Sequence, residues 1–261
     1  MTTLATSAFR RGKLRFRSRD RRVPHLSLLG CIILKHRHFV DSRMQKNSFF
    51  KFTRLKFNKK DNEIVELGLS LLRKTKDGVH GVDHVKALWK SYLDFKKSHP
   101  NKVYFDDRVM AQAIVFHDIW KAQADRSKYF LKVILEEYFE GSWSADIYRE
   151  HALMLKIDKK IIEKVSYAIK KHSSGNLLPR STNEAKLLFD LDELEFFKFK
   201  RFKKGFENFK FGVDRQVVAA KSYFRMRTRK GFYFDWSHEK FEKRKSKFLN
   251  GLNKLKKEIA L

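Results

Sequence analysis

From Asn62 onward the apolar and polar positions of the chain follow one helical pattern after another. Ile64, Leu67, Leu71 and Leu72 recur at three- and four-residue spacing and predict a first amphipathic helix, ended by Thr75-Lys-Asp-Gly78. Val85, Leu88, Trp89 and Tyr92 predict a second helix. It carries His80 and His84, four residues apart, on one face and stops near Ser98-His99-Pro100, where proline cannot continue it. Asp106-Asp107 cap a third, whose apolar positions 109, 113 and 114 lead to His117 and Asp118. Residues 127 to 139 and 144 to 155 read as two helices around Gly141, and Asp158 as the N-cap of a helix running to His172. Residues 173 to 183 form the longest turn-rich stretch and predict the rim of a functional site. A helix over 235 to 258 closes the set, with Phe241, Phe248, Leu252 and Leu255 facing in. No internal repeat is visible.

Composition agrees with an all-α fold. The 261 residues, 42% hydrophobic, can bury a sizeable core in one or at most two domains. Only 11 Gly and 3 Pro are present, which suits helices joined by short loops better than a turn-rich β architecture. The expected organisation is a basic, disordered extension over residues 1–43 and a helical domain over 44–261. Within that domain the functional core spans 62–195 and further helices span 196–261.

Charge changes the picture at the N-terminus. The formal net charge is +29, and residues 1–60 contribute 17 Lys/Arg against Asp20 and Asp41. Such a field favours polyanions, whether nucleic acid or nucleotide phosphates, although solvated basic faces without a partner would look the same. The apolar run Leu26 to Leu34 is too short to span a bilayer, so no membrane association is expected. Three readings compete for this arm: an Arg- and Ser-rich organellar transit peptide, a nucleic-acid-binding arm, or an extension ahead of a true start at Met44. The last is preferred, with a cytoplasmic location, or an organellar one under the first. Cys31 is the sole cysteine, which excludes an internal disulfide framework.

The C-terminal third interleaves Phe196, Phe197, Phe199, Phe202, Phe206, Phe209 and Phe211 with Arg201, Lys203 and Lys204. Stacking platforms in a basic groove have this composition. So do amphipathic helices with phenylalanines inward, the preferred reading.

The candidate chemistry sits at His117-Asp118. Alone, the pair reads as a helix end, with Asp118 accepting backbone N–H groups and His117 as a hydrogen-bonded core histidine. The alternative is that both bind one divalent cation, since imidazole and carboxylate suit Mn, Fe, Co, Ni or Zn, and Mg is also admitted. That alternative requires further ligands, and the chain supplies candidates in His80/His84 upstream and in Asp190 and Asp192 within the apolar run 184–194. A carboxylate on the buried side of such a run costs several kcal/mol unless it is paired or bound to a cation. His172 shares a face with Val165 and Ile169.

The order His, His-Asp, Asp resembles the HD superfamily of metal-dependent phosphohydrolases, an all-helical fold. Several runs resemble its branch acting on small phosphorylated compounds such as nucleotides: His80-Gly-Val-Asp-His84-Val, Ala113 to Ile119, Ile169-Lys-Lys-His172-Ser, and Glu184-Ala-Lys-Leu-Leu-Phe-Asp190-Leu-Asp192-Glu-Leu. Tyr223 to Gly231 is similar to a basic turn before the last helix of that branch. The resemblance spans residues 64 to 250. It implies a metal site of His84, His117, Asp118 and Asp192, with Asp190 as the rival to Asp192. Lys121 and Ala122 stand where the stringent-response hydrolases carry an acidic pair, which argues against guanosine tetraphosphate chemistry. No Gly-Tyr-Pro element follows the dyad, which argues against cyclic-dinucleotide hydrolysis. Leu191 and Glu193 depart from the usual Ala and basic residue of the Asp-Ala-Asp-x-Leu segment.

The expected function is therefore a divalent-cation-dependent phosphohydrolase of a nucleotide or other small phosphoester or phosphoanhydride. Asp118 would orient or deprotonate the water, while His80, Lys121 and His172 would contact phosphate or protonate the leaving group. The alternative is a nucleic-acid-binding protein on the same scaffold.

Overall fold

The computed structural model describes residues 57–75, 79–99, 105–124, 130–173, 179–208 and 213–259. Among them there are helices and connecting turns and no strand. The N-terminal extension, the boundary at 43/44, Cys31 and residues 174–178 of the anticipated rim lie outside the described residues.

The helices are α1 (Lys59–Leu72), α2 (Val82–Ser98), α3 (Asp107–Phe116), α4 (Ile119–Gln123), α5 (Phe130–Met154), α6 (Lys159–His172), α7 (Asn183–Phe196), α8 (Phe199–Asn208), α9 (Val213–Lys230) and α10 (Asp235–Ile259). Their starts follow the cap chemistry of the sequence. The Asp106 carboxylate accepts the N–H groups of Arg108 and Val109, Asp158 accepts those of Lys160 and Ile161, and Thr182 accepts that of Ala185.

At the centre lies α3, where every residue from Val109 to Phe116 is buried. It packs against α1, α2, α5, α6 and α7, so whatever follows its last turn is delivered into the interior of the bundle. The one polar side chain in that run, Gln112, is satisfied on both sides. Its Nε2 donates to Asp61 Oδ1 (2.9 Å), and its Oε1 accepts from the Tyr148 hydroxyl (2.7 Å). Asp61 in turn accepts from Arg108 (2.6 Å), which ties α1, α3 and α5 together without an orphaned group.

Three sequence expectations are corrected, the first being that Tyr223 to Gly231, likened to a basic turn, is helical as far as Lys230 within α9. Residues 127 to 139 and 144 to 155 were expected to form two helices, but one continuous helix, α5, runs through Gly141. Glycine serves close packing there: a Cβ at Gly141 would lie 2.9 Å from the carbonyl oxygen of Lys170, so its absence lets α5 lie directly on the backbone of α6. His80 was expected on the helix with His84, but α2 starts at Val82 with Gly81 as its N-cap, which leaves His80 in the turn before it.

The described C-terminal phenylalanines pack inward, while Phe209, Phe211 and the side chain of Phe206 lie outside the described residues. Phe197, Phe241 and Phe248 are fully buried, Phe196, Phe199 and Phe202 pack against the same core, and Phe197 meets Phe241 at 5.0 Å between ring centroids. Among the described residues, no helix is long and apolar enough to cross a membrane.

Candidate metal centre

The helix α3 ends at Phe116, and the chain turns through His117 and Asp118 before α4 begins. Asp118 has φ −108° and ψ 15°, the bridge region in which functional side chains are often held, and its carboxylate makes no cap hydrogen bond to α4. The helix-cap reading of this aspartate is thus replaced by an inward one. His117 Nδ1 lies 2.9 Å from the Ile114 carbonyl oxygen. A carbonyl can only accept, so Nδ1 carries the proton and Nε2 is left to point at the cluster.

Three elements converge there. From α2, His84 Nε2 reaches within 3.1 Å of His117 Nε2 and 3.6 Å of Asp118 Oδ2. His117 Nε2 stands 3.1 Å from the same Asp118 oxygen. From α7, Asp192 Oδ1 lies 3.2 Å from His84 Nε2 and 3.8 Å from His117 Nε2. One ligand atom from each of His84, His117, Asp118 and Asp192 falls within 4.8 Å of all the others, a grouping that could hold a metal ion.

Helical geometry sends Asp190 and Asp192 in different directions, and Asp192 is the one that lies in the cluster. Residues two apart on a helix differ by about 200° in direction, so only one can face the cluster. Asp190 points the other way, where its carboxylate accepts the N–H groups of Tyr233 (3.1 Å) and Phe234 (3.0 Å) before α10.

Electrostatics fits a cation. Burial opposes ionisation of Asp118 and Asp192, but the His117 imidazole outweighs it, together with Lys121 at Asp118 and His84 at Asp192, and holds both carboxyls well below their usual range. Burial would lower the His117 imidazolium, yet Asp118 and Asp192 push it up to about 10, while burial and the nearby Arg201 lower His84. Two anionic carboxylates thus face two imidazole nitrogens, with His84, His117 and Asp118 almost wholly buried and Asp192 partly exposed, where a single proton can bridge only one pair. The donor set, two imidazole nitrogens with two carboxylate oxygens, is one that could coordinate a metal ion.

The remaining predicted residues surround this core. His80 Nε2 lies 4.0 Å from Asp118 Oδ2 at the margin of the cluster. Lys121 is buried beside Asp118 Oδ1 at 3.6 Å, and His172 Nε2 approaches the same oxygen at 3.6 Å. Three residues were missed by sequence reasoning. Glu140 and Glu137 of α5 both pair with Lys121, and Arg201 of α8 reaches Asp192 Oδ1 at 3.4 Å. The Asp192 side chain is 26% exposed and that of Arg201 17%, against 1% to 3% for the other three cluster members, so the cluster opens on the side of α7 and α8.

No known family, curated protein or solved structure matches the chain. What stands is an all-helical protein with a buried His/Asp cluster able to hold a metal ion, compatible with an HD-type fold.

Proposed function

We propose that the chain is an HD-type, metal-dependent phosphohydrolase acting on a nucleotide or another small phosphorylated molecule. The observation that carries this reading is the convergence of His84, His117, Asp118 and Asp192, which are far apart in the chain, on one small volume. A divalent cation held by His84, His117, Asp118 and Asp192 would supply Lewis-acid polarisation of a phosphoryl oxygen and would lower the pKa of a water.

The chain's own side chains supply the rest. The Arg201 guanidinium stands at the open side beside Asp192, where an incoming phosphate oxygen would meet a planar pair of donors. His80, whose Nε2 lies 4.0 Å from Asp118 Oδ2 at the margin, would contact phosphate or pass a proton to the departing oxygen. Asp118 keeps one oxygen, Oδ2, toward the imidazoles and turns the other toward Lys121 and His172, a division that fixes its orientation from both sides. This role for Asp118 in positioning the water, with His80, Lys121 and His172 as auxiliary groups, follows the resemblance of the sequence motifs.

The test is a panel of nucleotides and simple phosphate esters assayed with several divalent ions. His117→Ala and Asp118→Ala should each lose both the bound ion and hydrolysis. Full activity in either variant would defeat the proposal.

A further inference from the structure

Beside the His84/His117/Asp118/Asp192 cluster lies a second group of metal-ligand type, made of Asp118, Glu140 and His172, whose ligand atoms also fall within 4.8 Å of one another. It is a built feature. Glu140 and His172 are buried, and Gly141 brings α5 against the carbonyls of Ile169 and Lys170. His172 Nδ1 lies 2.6 Å from the Ile169 carbonyl oxygen, which leaves Nε2 as the acceptor. That buried Nε2 has no hydrogen-bond partner and faces Asp118 Oδ1 at 3.6 Å and Glu140 Oε1 at 3.9 Å. An orphaned imidazole lone pair among carboxylates is what a cation site requires.

The pocket is not vacant, however. The Lys121 ammonium ion-pairs with Glu140 at close range, with Glu137 Oε2 at 3.2 Å and with Asp118 Oδ1 at 3.6 Å. Charge counting then distinguishes one ion from two. With His84 and His117 neutral, as ligands of an ion must be, the carboxylates of Asp118, Asp192, Glu137 and Glu140 carry four negative charges, and one divalent ion together with Lys121 and Arg201 balances them. A second divalent ion would place excess positive charge in a buried volume while Lys121 stays.

We propose that the Asp118/Glu140/His172 pocket is a second cation site whose resident cation is the Lys121 ammonium, so that the centre holds one divalent ion and gains a second only when that ammonium is removed. This inference rests on the first site holding its ion, because Asp118 belongs to both groups. It gives Lys121 a defined place in the centre: a fixed positive charge beside Oδ1 of Asp118, whose Oδ2 faces the imidazoles of His84 and His117.

The experiment counts Mn2+ bound per chain, with electron paramagnetic resonance to detect a spin-coupled pair. Wild type should bind one ion and show no coupled pair. Lys121→Ala should bind two and show coupling through the shared carboxylate, Lys121→Arg should stay at one, and Lys121→Ala/Glu140→Gln should return to one. Lys121→Ser is a second route to the same state if the alanine variant loses its helical circular dichroism. Two ions in the wild type, or one ion in folded Lys121→Ala and Lys121→Ser, would overturn the inference. A wild type that binds one ion but hydrolyses no phosphate ester would sink the hydrolase reading and leave this one standing, whereas a wild type that binds none would remove both.

Discussion

Arg201 separates binding from chemistry most cleanly among the residues of the centre. It touches Asp192 from outside the four-residue cluster, so Arg201→Ala should leave the ion in place. If it receives the substrate phosphate, its loss should raise KM about tenfold, the usual worth of a charge-assisted contact, with a smaller change in kcat. Steady-state kinetics with parallel metal analysis checks this; loss of the ion would instead make Arg201 a support for Asp192. The main site residues were legible in the sequence because buried His and Asp are rare enough on apolar faces for their spacing to be noticed. Asp192 was separable from Asp190 only through resemblance, until the direction of each side chain on α7 was known. Glu140 was hidden for a physical reason. It lies in line with Ser144 and Tyr148 at helical spacing, all buried, but Leu135, Tyr138, Phe139 and Trp143 on the same helix are exposed, so the apolar positions of α5 do not mark its inner face. Arg201 was read as one more cation in a Lys/Phe-rich stretch.

Among the elements around the centre, the contact of α5 with α6 and the helix α7 each offer a stability test. Gly141→Ala introduces a Cβ 2.9 Å from the Lys170 carbonyl oxygen, a backbone atom that cannot step aside without moving α6. Overpacking of this kind costs about 1 to 3 kcal/mol, so the variant should show a lower denaturant midpoint and, because Glu140 and His172 flank the contact, a disturbed centre. At α7, burial pushes Asp190 up from 3.8 to about 7 despite its hydrogen bonds to Tyr233 and Phe234. A folded-state pKa above the unfolded one means the native protein binds more protons between the two values. The contribution of this group is therefore fully present below about 3.8, declines as pH rises, and is gone above about 7. Urea unfolding across this window should show that decline in the wild type and a shallower one in Asp190→Asn. The helical pattern located most element cores. It failed where glycine signalled close packing instead of a break, at Gly141, and where it extended α2 back to His80.

For the whole molecule the dominant quantity is charge. A net +29 raises the local concentration of anions, so kcat/KM for a phosphorylated substrate should fall as ionic strength rises, with much of the effect in KM. Phe197, Phe241 and Phe248, three of the aromatic residues of the C-terminal third, are core residues. The core around α3 and the cluster at its end are one construction: the most buried helix of the bundle terminates at the residues proposed to hold the ion. Metal content per chain, measured by elemental analysis on purified wild type and on His84→Ala, His117→Ala, Asp118→Ala and Asp192→Ala, tests that claim most directly. The account predicts one divalent ion in the wild type and a folded protein with little or none in each variant. A metal-free wild type after incubation with divalent ions, or undiminished metal in the variants, would contradict it.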